Sequence, residues 1–143
     1  MSAYILDASV AAKWFLPADD ETFVKESLDI LNGYSRGTVR LTVPDLFWPE
    51  FGNILWKAAR VGRISIEAAE EALVALTEKP FPTLPSLPLL DDAFAIATRF
   101  QCTVYDSLYV ALAVVSGKPL ITADERLANS LATHFPVRWL GSL

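Results

Sequence analysis

A chain of 143 residues with 17 acidic and 12 basic side chains, net charge −5, is long enough to bury about two-thirds of its unfolded surface, so one domain over residues 1–143 is expected. The acidic balance, with an isoelectric point near 4.8, excludes a broad basic face for nucleic acid, so a phosphate substrate would need bound cations. Single cysteine and histidine residues, Cys102 and His134, exclude an internal disulfide, a cysteine metal cage and a histidine-rich zinc site.

The composition is 52% apolar, yet no apolar run reaches the ~18 residues that cross a bilayer, which implies a non-membrane protein with surplus apolar surface for a partner. The opening "MSAYILDASV" lacks the basic stretch and cleavage site of a secretory signal, and a cytoplasmic location is expected. Within it, residues 3–7 read as a buried strand with Asp7 at its carboxyl end, followed by a turn of helix. From Glu21 to Tyr34, Phe23, Leu28, Leu31 and Tyr34 fall near helical spacing, with Gly33 and Gly37 available to end the helix.

"VRLTVP" reads as a second strand. "DLFWPEFGNILWKAARVG" follows as a helix with Pro49 in its first turn, Gly62 at its end, and Glu50, Asn53 and Lys57 on its polar face. "SIEAAEEALVALTEK" is a helix with a Ser cap, and the four prolines of "PFPTLPSLP" allow only an edge strand or an extended connection. A helix starts near Asp91, whose pairing with Asp92 reads as helix capping. "TVYDSLYVALAVVSG" is an apolar helix ended by Gly117, "KPLIT" a strand, "ADERLANSLA" a helix and "FPVRWL" a last strand. Strands alternating with helices predict a mainly parallel sheet covered on both faces, a three-layer α/β/α sandwich.

In such sheets ligands bind beyond the carboxyl ends of the strands, where strand order reverses. Asp7 and Asp124 fall at strand ends, while Asp106 and Glu50 are solitary acids in otherwise apolar helices. A carboxylate placed among apolar residues needs a partner, and gathered carboxylates repel until they take up protons or share a cation. Oxygen-only ligands select hard ions, Mg²⁺ or Mn²⁺, and the chemistry of such a site is phosphoryl transfer by activated water, with no side-chain nucleophile.

The segments "ILDASVAAKWF", "PEFGNIL", "VYDSLYVALA" and "LITADERL" resemble, in order and at similar spacing, the acidic motifs of PIN-domain ribonucleases, especially the VapC-type toxins of toxin–antitoxin pairs. The resemblance implies a PIN-like fold and Mg²⁺-dependent RNA cleavage leaving 5′-phosphate and 3′-hydroxyl ends. It also implies a homodimer inhibited by a cognate antitoxin. Asp7, Glu50, Asp106 and Asp124 would then be the metal-binding acids, with Ser9, Asn53 and Thr122 in support. Ser107 stands where the family commonly has Ala.

Each residue also has a plainer role. Asp7, Asp106 and Asp124 can be helix caps, Glu50 can face solvent, Ser9 and Thr122 can satisfy local backbone, and Asn53 can brace Glu50. Cys102 reads as a small buried hydrophobe, His134 as a helix-end or surface residue, and Trp14, Trp48, Trp56 and Trp139 as core or interface residues. Lys57, Arg60 and Arg63 form a basic cluster at a solvated helix end. The competing functions are a metal-free interaction module of the same fold and a phospho-aspartate receiver or hydrolase. "LDASV" lacks the second Asp that the hydrolase requires, and "GKP" precedes a strand instead of ending one, against the receiver.

Overall fold

The computed structural model describes residues 1–143 and contains five strands, all paired in parallel, in the order β3-β2-β1-β4-β5. The strands are β1 (Ser2–Leu6), β2 (Val39–Pro44), β3 (Thr83–Leu84), β4 (Leu120–Thr122) and β5 (Val137–Trp139). Seven helices accompany them: α1 (Ala8–Ala12), α2 (Val24–Ser35), α3 (Phe47–Arg60), α4 (Ile66–Thr77), α5 (Leu90–Phe100), α6 (Val104–Ser116) and α7 (Glu125–Leu131). This is the expected α/β architecture, and no helix is long and apolar enough to cross a membrane.

The chain builds outward from β1. It runs to β2 and then β3 on one side, and later to β4 and β5 on the other. The strand order therefore reverses between β1 and β4, with Leu6 in register beside Ile121. That reversal opens a crevice at the carboxyl ends of the two central strands.

Burial on both faces explains the near-continuous apolar reading of the central strands, where Ile5, Leu6, Leu120 and Ile121 are fully enclosed. Residues 107–113 of α6 are buried without a break, so this helix lies inside the molecule rather than along its surface. It ends at Gly117, whose φ of 64° favours a residue without Cβ. Ser65 caps α4 by accepting the Ala68 amide. The proline-rich segment supplies only the two-residue edge strand β3, as its missing donors require.

Several expectations need correction. The first strand closes at Leu6, and Asp7, still extended, serves as the cap of α1. The helix predicted from Glu21 starts at Val24. Glu21 is extended instead, and its carboxylate meets Lys13 at 3.1 Å and Arg63 at 2.8 Å. Gly33 lies inside α2, packed on β2, where a Cβ would strike Val39, and does not end the helix. Cys102 is half-buried with its sulfur 3.2 Å from the Ser107 hydroxyl. Trp56 is 57% exposed rather than packed in the core, and Arg60 lies over its ring.

Candidate active site

Asp7 follows the last residue of β1 and takes an extended conformation that lets its side chain cap α1. The Ser9 amide donates to its Oδ1 at 3.2 Å, and the Thr122 hydroxyl donates to its Oδ2 at 2.7 Å. Thr122 ends β4, the neighbour of β1, so the pairing of the central strands delivers this contact. The Thr122 oxygen in turn accepts the Asp124 amide at 3.1 Å, and Asp124 Oδ1 caps α7 by accepting the Leu127 amide at 3.1 Å. Ser9 Oγ accepts the Ala123 amide at 3.2 Å. The loops after β1 and β4 are thus tied together by short polar side chains, with Ser9 and Thr122 both bonded to backbone.

Asp106 occupies the first turn of α6, but it is not the cap. Thr103 fills that role by accepting the Asp106 amide at 3.0 Å. Glu50 lies in the first turn of α3, half-buried, and its Oε1 accepts a 2.6 Å hydrogen bond from the Tyr109 hydroxyl. Tyr109 is absent from the sequence-derived candidates. Its place one turn after Asp106 on the same helix face was the available signal, since residues three apart are helix neighbours.

Burial and mutual repulsion bind these groups into one electrostatic cluster. Burial, opposed by the Thr122 and Ser9 hydrogen bonds and aided by the charge of Asp106, raises the Asp7 carboxyl to about 6. Burial raises Glu50 to about 7 against the Tyr109 hydrogen bond, with the charges of Asp7 and Asp106 adding to it. Asp106 is also pushed upward, mainly by burial and further by Asp124. The Tyr109 hydroxyl is raised well beyond the usual phenol range by burial and by the charges of Asp7 and Glu50. Asp124 thus acts on Asp106, Asp106 on Asp7 and Glu50, and Asp7 on Glu50, which links the four acids in one chain of repulsion.

This set fits a hard divalent cation. Its donors are all oxygens, and a positive ion would relieve the repulsion that pushes Asp7, Glu50 and Asp106 toward protonation. As placed, no three His, Cys, Asp or Glu side chains close around one point as a complete cage. Asp106 and Asp124 line a polar groove of about 480 Å³ together with Gln101, Thr103, Arg126 and Ser130, whereas Asp7 and Glu50 do not line it.

Other candidates fall elsewhere. Asn53 is exposed, and the hydrogen bond that steadies Glu50 comes from Tyr109. Asp91 and Asp92 lie in the first turn of α5, but the capping position is Leu89 and no side chain caps that end. Arg63 is drawn into ion pairs with Asp20 and Glu21, which removes it from the basic cluster. His134 is exposed, with its ring against Phe100.

Comparison with known proteins gives consistent matches. The family described as PIN domain matches residues 4–130. Ribonuclease VapC3 of Pyrobaculum aerophilum is 33% identical over 127 residues, spanning 87% of this chain and 92% of that protein. Exonuclease VapC9 of the same organism is 35% identical over 126 residues, spanning 87% and 82%. Among solved structures, that of PAE2754 from Pyrobaculum aerophilum aligns with a TM-score of 0.71 at 26% identity, over 99% of this chain and 91% of the other. A toxin–antitoxin complex from Klebsiella pneumoniae aligns with a TM-score of 0.63 at 14% identity, over 94% and 95%, a likeness of fold.

Proposed function

Because the chain belongs to the PIN-domain family, in its VapC branch, we propose that it is a metal-dependent endoribonuclease, the toxin of a type II toxin–antitoxin pair. The observation that carries this reading is the coupling of Asp7, Glu50, Asp106 and Asp124 at the reversal of strand order. Those acids would hold Mg²⁺ or Mn²⁺. A divalent ion held there would polarise the scissile phosphate and would lower the pKa of water toward neutrality.

The chain's own residues supply the rest. Thr122 and Ser9 fix both oxygens of Asp7, so that this carboxylate is oriented before any ligand arrives. Glu50, held at Oε1 by the Tyr109 hydroxyl, has Oε2 left to meet the ion or its water. The groove beside Asp106 and Asp124 gives an RNA strand a polar bed, with Arg126 to meet a phosphate. Attack of water on the phosphorus, with cleavage of the P–O3′ bond, leaves a 5′-phosphate and a 3′-hydroxyl.

Two apolar surfaces support the proposed partners. Between α3 and α4, Leu55, Trp56, Ala59, Ile66, Ala69 and Leu73 line a groove of about 280 Å³ suited to an antitoxin segment. Where the start of α5 meets the end of α6, Leu87, Leu90, Phe94, Val114 and Val115 are exposed and suit a second copy of the chain.

The test is incubation of the purified protein with single-stranded and looped RNA, with Mg²⁺ or Mn²⁺ or with EDTA, beside Asp7→Asn. The expected result is metal-dependent internal cleavage that is lost in the variant. Cleavage undiminished in EDTA refutes metal dependence, and digestion confined to chain ends replaces the endonuclease with an exonuclease. A folded protein that binds neither metal nor RNA leaves the interaction module.

A further inference from the structure

Tyr109 sits inside the molecule at 1% exposure, and its hydroxyl donates to Glu50 Oε1 at 2.6 Å. Leu108, Val110, Ala111 and Leu112 around it in α6 are buried and apolar, so the ring alone would meet the needs of the core. A hydroxyl shut away from water must be satisfied, and this one is satisfied by an acid 59 residues away in sequence, on another helix.

The four acids differ in how they are held. Asp7 has both oxygens bonded, by the Ser9 amide and the Thr122 hydroxyl, and Asp124 accepts the Leu127 amide. Glu50 has the longer, three-torsion side chain, and the donor that meets it is a side chain, not a neighbouring amide. Since Tyr109 also lies one turn beyond Asp106, its bond couples the helix that carries Glu50 to the helix that carries Asp106.

We propose that Tyr109 is the positioning residue for Glu50: its hydroxyl engages Oε1, fixes the rotation of the carboxylate, and leaves Oε2 as the oxygen that meets a divalent cation or its water. This rests on the reading of the acids as a cation site. Outer partners of metal ligands act in this way in general, and their loss typically weakens metal affinity by about 10- to 100-fold.

The experiment is calorimetric titration of Mn²⁺ into the native chain, Tyr109→Phe, Glu50→Gln and the double variant, with thermal unfolding in EDTA as the check of folding. Tyr109→Phe should bind Mn²⁺ about 10- to 100-fold more weakly, while the double variant should bind no more weakly than Glu50→Gln, because the two residues act as a unit. Native-like binding by Tyr109→Phe, or losses that multiply in the double variant, would overturn the proposal. A native chain that binds no Mn²⁺ instead removes the cation site itself, and the role of Tyr109 with it. Should Tyr109→Phe not fold, the Tyr109 hydroxyl proton of the native chain decides by nuclear magnetic resonance. It should shift on Mg²⁺ titration and saturate with the dissociation constant that calorimetry gives for Mg²⁺, and a resonance indifferent to Mg²⁺ overturns the proposal.

Discussion

The Thr122 hydroxyl donates to Asp7 Oδ2 at 2.7 Å across 115 residues of sequence, and both residues lie at the carboxyl ends of adjacent parallel strands. Thr122 is fully buried, and its oxygen also accepts the Asp124 amide, so one hydroxyl serves two of the four acids. Thr122→Val keeps the shape and removes both bonds. Leaving a buried carboxylate and an amide without that partner should cost about 1–3 kcal/mol in urea unfolding at pH 7.5, with Thr122→Ser restoring most of it. Equal stability of the Val and Ser variants would show that the hydroxyl holds nothing in place.

The raised carboxyls of Asp7 and Glu50 make a stability prediction with a definite sign. Both bind protons more tightly folded than unfolded, so the stability they contribute is complete below about pH 4 and is lost as pH rises through 6 to 7. For Asp7, raised from 3.8 to about 6, the loss is on the order of 3 kcal/mol. Metal-free protein should therefore lose several degrees of Tm between pH 5 and pH 7.5. Asp7→Asn should flatten that fall, and Mn²⁺ at pH 7.5 should reverse it in the native chain. Parallel curves for native and Asp7→Asn protein would contradict the assignment of the strain to Asp7.

What could be read from the residues alone follows from range. Asp106 and Glu50 stand out because each is a lone charge in an apolar window, and Asp7 and Asp124 because each follows a strand. Tyr109 could not be singled out that way. A tyrosine in an apolar helix reads as core, and its function lies in a hydroxyl whose partner is 59 residues distant. The start of α2 was hidden for a related reason. Phe23 extends the apolar spacing upstream, but Glu21 is pulled into an extended segment by Lys13 and Arg63, cations that come from either side of it in sequence. Lys13, in "AAKWF", is 8% exposed, and nothing in its neighbours marks it as the buried partner of Glu21.

That ion cluster supports a contrast between buried and exposed pairs. Lys13 and Glu21 side chains are 8% and 14% exposed, whereas Lys25 and Asp29 are 83% and 60% exposed. Glu21→Gln strands the Lys13 ammonium in a poorly hydrated place and should cost about 3–5 kcal/mol by denaturant unfolding, as breaking a buried pair does. Asp29→Asn should cost about 0.5 kcal/mol or less. Similar costs for the two substitutions would mean that water reaches Lys13 as freely as it reaches Lys25.

The proposed dimer can be tested through the face at the start of α5 and the end of α6. Three residues join these helices, which makes them antiparallel neighbours and brings Leu90 and Phe94 toward Val114 and Val115. Phe94 is 61% exposed and Val115 67%, an unusual outlay of apolar surface for a chain that buries Ile5 and Leu120 completely. In a two-fold assembly the same patch meets itself, so one substitution places a charge on both sides of the contact. Val115→Glu and Phe94→Glu should each weaken self-association by about 30-fold or more, the cost of losing an anchor worth about 2 kcal/mol. Sedimentation velocity at micromolar concentration should then show monomers, with Tm scarcely changed. Trp56→Ser, in the separate groove between α3 and α4, should leave the dimer intact, because that groove is reserved for the antitoxin in the proposed arrangement. A monomeric native chain, or variants that stay dimeric while Trp56→Ser dissociates, would move the self-contact to another face.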